Sequence, residues 1–255
     1  MPAENTQPSQ YDSIGAQYDA IKSLPIIKDV ETANFPRSSL SGGAASVTGV
    51  DMSPAMIEVA RAKAKQSGKD TDGRLKYQVG DVLNLGIVDD GGYDMVTGVW
   101  LLNYASSREE LTQMYRGIRA NLKPSGHFFG VCEEAQEDLD TFVRQRELFF
   151  QGNRRLFGLE TEYTERLASG DGYVMETRAH VEPPFDMKTY HLRKSIIVEE
   201  ARAAGLEGHC EMKKMGVPEE VYVKNKDYWA LYPCFTPKFS TIFIAVEHTE
   251  SSRSV

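Results

Sequence analysis

The stretch "VTGVDMSPAMIEVARAK", residues 47–63, most constrains what this chain can fold into. A short Val/Thr-rich run ending in Asp51 suits a pleated, largely buried strand. Ser53 is a candidate N-cap and Pro54 falls in the first turn of a helix that follows at once. The same alternation then repeats. "LKYQVGD" reads as a strand ending at Asp81, and "YDMVTGVWLL" as a buried strand from Tyr93 that enters a loop. "SREELTQMYRGIRANL" is a helix from about Ser107, and "KPSGHFFGVCE" is a turn feeding another strand. Strands alternating with helices of this length predict an α/β fold, a mostly parallel sheet with helices on both faces.

The flanks differ. Near the N-terminus Tyr11, Ile14, Tyr18 and Ile21 recur at helical spacing. Beyond the α/β stretch, "EDLDTFVRQRELFF" is helical, and "YTERLASGDGYVMETRAHV" alternates around a Gly-Asp-Gly turn as a β-hairpin does. "FDMKTYHLRKS" supplies a third strand. Residues 155–194 are thus an antiparallel insertion over one edge of a single domain spanning 1–255. "SIIVEEARAAG" is a helix with Gly205 just past its end, and "STIFIAVEH" suits a central strand.

Bulk properties narrow the function. A formal net charge of -8 argues against a broad nucleic-acid footprint, which needs excess Lys and Arg, and against an anionic membrane surface. Cys132, Cys210 and Cys234 show no paired spacing, and His127, His180, His209 and His248 lack metal-ligand spacing, so neither disulfides nor a metal is expected. The polar first ten residues lack the regions of a signal peptide, and no apolar run reaches about 18 residues. The expectation is a cytoplasmic protein acting on a small molecule, without nucleic-acid or membrane partners. Its oligomeric state is not legible.

Taken in order, "GVD-SPAMI", "GD", "YDMVTGVWLLNYAS" and "LKPSG" resemble the class I S-adenosylmethionine-dependent methyltransferases, whose fold is Rossmann-like. The entry helix from Tyr11 to Asp19, "LLNYA" from Leu101 to Ala105, and the Tyr228–Pro233 stretch with its final Pro displaced are similar to one subgroup. That subgroup comprises small-molecule methyltransferases of the toxoflavin-pathway type and of fungal secondary metabolism. The resemblance covers nearly the whole chain. It implies S-adenosylmethionine as cofactor and methyl transfer to O or N of a small secondary metabolite. By it, Asp51, with Met52 beside it, accepts the ribose hydroxyls, Asp81 and Val82 sit at the adenine amine, and Gly98, Val99 and Trp100 line the methionine portion. Tyr11 and Tyr18 cover the cofactor. Apart from the resemblance, Tyr104 and His191, the latter on the third insertion strand, are the candidates to face a substrate. A general base is optional, because a sulfonium methyl is already a strong electrophile and the protein chiefly aligns the reactants.

One departure stands out. The family carries a strand, a "D-L-x-C-G-x-G" type loop and a helix before the acid-ended strand. From Pro25 to Val47 there is too little chain for all three; roughly 20 residues are short at typical element lengths. "SGGAAS" matches only the tail of that helix. Either the protein has lost the segment, or this is an incompletely spliced form of an intact enzyme. The strand at Val47 would then pair with the one at Tyr93, or the sheet would stay gapped. Plainer readings stand beside each site residue. A strand-end Asp often caps the next turn, helically spaced tyrosines are often core, a lone His is more often hydrogen-bonded than catalytic, and Trp229 with its tyrosine neighbours reads as packing. The functional rivals are a non-catalytic partner subunit of this fold and a version repurposed for another reaction such as a cyclisation.

Overall fold

The structure is a computed structural model that describes residues 9–13, 15–25, 27–28, 43–68, 73–150, 158–230 and 239–245. The segment where the glycine-rich loop would be expected, and the residues around Pro233, lie outside these.

The α/β alternation forms as the sequence predicts. Strand β1 (Val47–Asp51) leads into a helix, Pro54–Gln66. Ser53 caps that helix, its side chain accepting from the Met56 N–H at 3.3 Å, which satisfies one of the N–H groups a helix start leaves open. Strand β2 (Leu75–Val79) pairs parallel to β1, with Asp51 opposite Val79. Strand β3 (Tyr93–Val99) pairs parallel to β4 (Leu122–Glu133).

The helix Arg108–Ala120, between those two strands, shows why the pattern was readable. Leu111, Met114, Tyr115 and Ile118 sit at i, i+3, i+4 and i+7, and all four are buried. They meet Phe128, Ile242 and Ile244 from the sheet, and Ile196 and Ile197 from the helix Lys194–Ala203. At its start Ser107 accepts from the Glu110 N–H at 3.3 Å. Glu110 in turn reaches back to the backbone N–H and hydroxyl of Ser106, both at 2.7 Å. Ser107→Ala should therefore cost about 1 kcal/mol, seen as a lower urea midpoint at unchanged slope.

Three antiparallel strands fall in the 155–194 region: β5 (Leu159–Arg166), β6 (Gly172–Ala179) and β7 (Phe185–Leu192). They form their own sheet in that order. Strand β8 (Cys210–Lys214), which the sequence did not announce, is an edge strand antiparallel to β9 (Phe239–Ala245), and β9 is antiparallel to β4.

Among the described residues the remaining strands run β2–β1 in one sheet and β3–β4–β9–β8 in another, with no pairing between β1 and β3. The Tyr93 hydroxyl reaches across to donate to Thr48 Oγ1 at 2.8 Å, a side-chain bridge where neighbouring strands would exchange backbone bonds. Among the described residues, no helix is long and apolar enough to cross a membrane.

Candidate functional site

Parallel strands that all run one way gather their ends on one rim, and in open α/β sheets that rim is where ligands bind. Here it carries the acids singled out above. Asp51 ends β1, and its Oδ1 accepts from the Ser53 N–H at 2.8 Å. Burial raises its pKa, the Ser53 bond works against that, and the charge of Asp12 adds to the rise. The Gly80 N–H donates to the Asp51 carbonyl at 2.9 Å, so the Asp81 turn starts beside Asp51. Asp81 is spent locally: Oδ1 accepts from the Leu83 N–H and Oδ2 from the Asn84 amide, both at 3.0 Å. Val82 presses on the next helix, where a Cβ on Gly117 would come within 2.8 Å of its carbonyl. Only glycine fits there.

At the end of β3 Gly98 is buried, and a Cβ on it would meet Phe128 at 3.1 Å. Val99 follows, and Trp100 takes a left-handed φ of 56° while its N–H donates to the Val131 carbonyl at 2.9 Å. A bulky residue in that region stores strain of about 1–3 kcal/mol, of the kind found where a chain turns sharply at a site. Four of the exposed large hydrophobic residues also lie on this rim: Val50, Met52, Val79 and Val99. These exposed apolar side chains at the strand ends leave hydrophobic surface on the rim.

Tyr11, Tyr18 and Tyr104 come together. Tyr11 meets Tyr18 edge-on at 5.0 Å between ring centres and Tyr104 at 6.0 Å, and the Tyr11 and Tyr104 hydroxyls are hydrogen-bonded. Burial pushes the Tyr104 phenol well up, so it stays protonated. Tyr18 also lies against Phe185, and Gln10 and the Lys188 backbone exchange bonds at 3.2 and 3.4 Å. The N-terminal segment is thereby pinned to β7.

His191 stands apart from this group. It is 2% exposed; Nε2 meets the Glu134 carbonyl at 2.7 Å and Nδ1 the Tyr163 hydroxyl at 2.8 Å. Burial drives its pKa down to about 3. Expected to face a substrate, it is instead an interior neutral imidazole with both nitrogens engaged, because its place on β7 turns it toward the end of β4. Trp229 is buried with Phe129, Val131 and Met215, as the packing reading has it.

Further charged residues surround His191. Glu133 ends β4, Glu134 is buried and held by Lys214 and Gln136, and Arg146 donates to the Tyr163 hydroxyl at 3.3 Å. The available signal was the one used for Asp51: an acid at a strand's carboxyl end, here in "HFFGVCEE".

With this geometry in view, the fold is that of the α/β methyltransferases. The sequence matches a family model described as a methyltransferase domain over residues 32–126, from ahead of β1 into β4. Similar solved structures span most of the chain. A protein from Pyrococcus horikoshii OT3 is 19% identical, with a TM-score of 0.51 over 82% of this chain and 74% of its own. A Listeria monocytogenes protein described as an S-adenosylmethionine-dependent methyltransferase is 16% identical, with a TM-score of 0.51 over 82% of each chain. The CcbJ methyltransferase from Streptomyces caelestis is 14% identical, with a TM-score of 0.50 over 96% of this chain and 99% of its own. No curated protein matches the sequence.

Proposed function

We propose that this chain derives from enzymes that move a methyl group from S-adenosylmethionine to O or N of a small molecule, in the manner of secondary-metabolite methyltransferases, and that it lacks their first strand and glycine-rich loop. The observation that carries this reading is the set of strand ends: Asp51 closes β1 beside the Gly80–Asp81 turn, and Gly98–Val99 close β3 ahead of the left-handed Trp100, with exposed apolar side chains at each. On that rim Asp51 keeps a carboxylate for ribose hydroxyls, Met52 and Val82 flank the adenine, and Tyr11 and Tyr18 close over the cofactor. When bound, the cofactor supplies an activated methyl group; the residues here align the acceptor and exclude water. Tyr104, bonded to Tyr11, belongs to the wall between cofactor and acceptor. The β5–β7 sheet, tied to the N-terminal segment, acts as the acceptor's cover. His191 supports that wall from behind.

Titration of the isotope-labelled protein with S-adenosylhomocysteine, followed by amide NMR, tests the reading even if binding is weak. Shifts should concentrate at residues 51–53, 80–82 and 98–100. No shift at those amides at millimolar ligand would sink it.

The lack of pairing between β1 and β3 among the described residues favours a second reading, in which the chain no longer transfers methyl groups and serves as a binding or partner subunit, or in another reaction. A transcript read across residues 34–41 separates the two. A retained intron encoding an in-frame strand and glycine-rich loop favours the enzyme; an uninterrupted transcript favours the second reading.

A further inference from the structure

A cavity of about 590 Å³ opens between the helix Pro54–Gln66 and strand β2. Small-molecule sites occupy about 300–1,000 Å³, so the size suits one. Its helix wall is a single face, with Glu58, Arg61, Ala62 and Lys65 at i, i+3, i+4 and i+7. Its strand wall is Leu75, Lys76 and Tyr77, the half of β2 away from the Asp81 turn. The walls are held in place. Arg61 donates from Nη1 to Glu58 at 2.6 Å and from Nη2 to the Tyr77 carbonyl at 2.9 Å, which ties helix to strand. The Tyr77 ring lies against β1, where a Cβ on Gly49 would come within 3.1 Å of it. Because Glu58 is matched by Arg61, Lys65 and Lys76 stand as the surplus charges. Among the described residues neither lysine has an ion pair. The cavity is thus cationic on a chain of net charge -8.

We propose that this cavity binds a small planar carboxylate, its apolar body on Leu75 and Tyr77 and its anion beside Lys65 and Lys76. The proposal stands apart from methyl transfer, since none of the strand-end residues lines the cavity. The backbone of β2 favours the same occupant. The Val47 N–H donates to the Arg74 carbonyl and the Gly80 N–H to the Asp51 carbonyl. In a parallel ladder the peptide groups of Leu75 and Tyr77 therefore turn the other way, to the edge of β2 that no described strand pairs. Arg61 takes the Tyr77 carbonyl there, so the edge offers N–H donors beside the two lysines, a combination that favours an anion. Lysines at a sheet edge discourage a further strand, which selects a small molecule over an extended chain.

Amide NMR titrations of the isotope-labelled chain with cinnamate and with cinnamamide test this. The two share a planar body, and only the first carries a charge. Cinnamate shifts should concentrate at residues 58–65 and 75–77. At low salt cinnamate should bind about fivefold more tightly than the amide, the fold-change of two exposed charge contacts. At about 0.5 M salt the preference should fall below about twofold, because screening then acts over a few ångströms. In K65Q/K76Q it should fall as far at low salt, and the exposure of both lysines leaves the fold intact. Equal binding of the two ligands, no binding of either at low millimolar concentration, or a preference that the double variant retains would overturn the proposal. So would cinnamate shifts confined to residues 51–53, 80–82 and 98–100. Should the double variant fail to fold, a salt-independent preference in the wild type would overturn it as well. S-adenosylhomocysteine is read at those other amides, so the failure of either reading leaves the other standing.

Discussion

A chain carrying a family-like strand, glycine-rich loop and helix between residues 35 and 42 should bind S-adenosylmethionine about a thousandfold more tightly than the chain as it stands. The loop would bring two or three backbone N–H groups to the cofactor's carboxylate, each bond to a charged group worth roughly 1.5–3 kcal/mol. A total of about 4–6 kcal/mol corresponds to that factor or more. Among the described residues β1 and β3 exchange no backbone bonds, and the Tyr93 hydroxyl donates to Thr48 Oγ1 between them. A strand inserted there would add backbone ladders to both. The repaired chain should therefore also melt at a higher temperature. Calorimetric titration of both chains makes the comparison, and micromolar affinity in the unrepaired chain would contradict it.

The parts of the fold that were legible in the sequence are those set by neighbours along the chain. Ser53 and Ser107 announce helix starts because a cap acts on N–H groups two or three residues away. Gly205 announces a helix end because the left-handed φ it adopts, 81°, suits only a residue without a side chain. The hairpin around Gly170 and Gly172 follows from alternation and turn chemistry alone. The legible part of the site was of the same kind: acids at strand ends.

What stayed hidden depends on residues far apart in sequence. Strand β8, "CEMKK", has little apolar periodicity of its own and becomes a strand because β9 offers it an edge. His191 gave no sign of its surroundings, since the groups that fix its state, Glu134 and Tyr163, lie 57 and 28 residues away. Burial among them turns a residue that could have met a substrate into a neutral interior bridge. The left-handed Trp100 is likewise a tertiary outcome, held by a bond to Val131 on the next strand.

Asp51 offers the sharpest separation between a structural acid and a binding one. Its Oδ1 already serves the Ser53 N–H, so in the chain as it stands Asp51→Ala removes a local turn bond. The expected cost is about 0.5–1.5 kcal/mol of stability, read from a denaturant melt, with almost no change in cofactor affinity because there is little binding to lose. In the repaired chain the same carboxylate would also accept two ribose hydroxyls through charge-assisted bonds that an alanine cannot replace. Asp51→Ala should there weaken S-adenosylmethionine by about 2–4 kcal/mol, by the same per-bond magnitudes, on top of the stability loss common to both chains. Subtracting one background from the other removes the turn contribution, provided the two effects add. What remains is the acid's share of cofactor binding. Equal affinity losses in the two chains would mean that the cofactor is held without the inserted segment, and that the unpaired β1 and β3 belong to a working site.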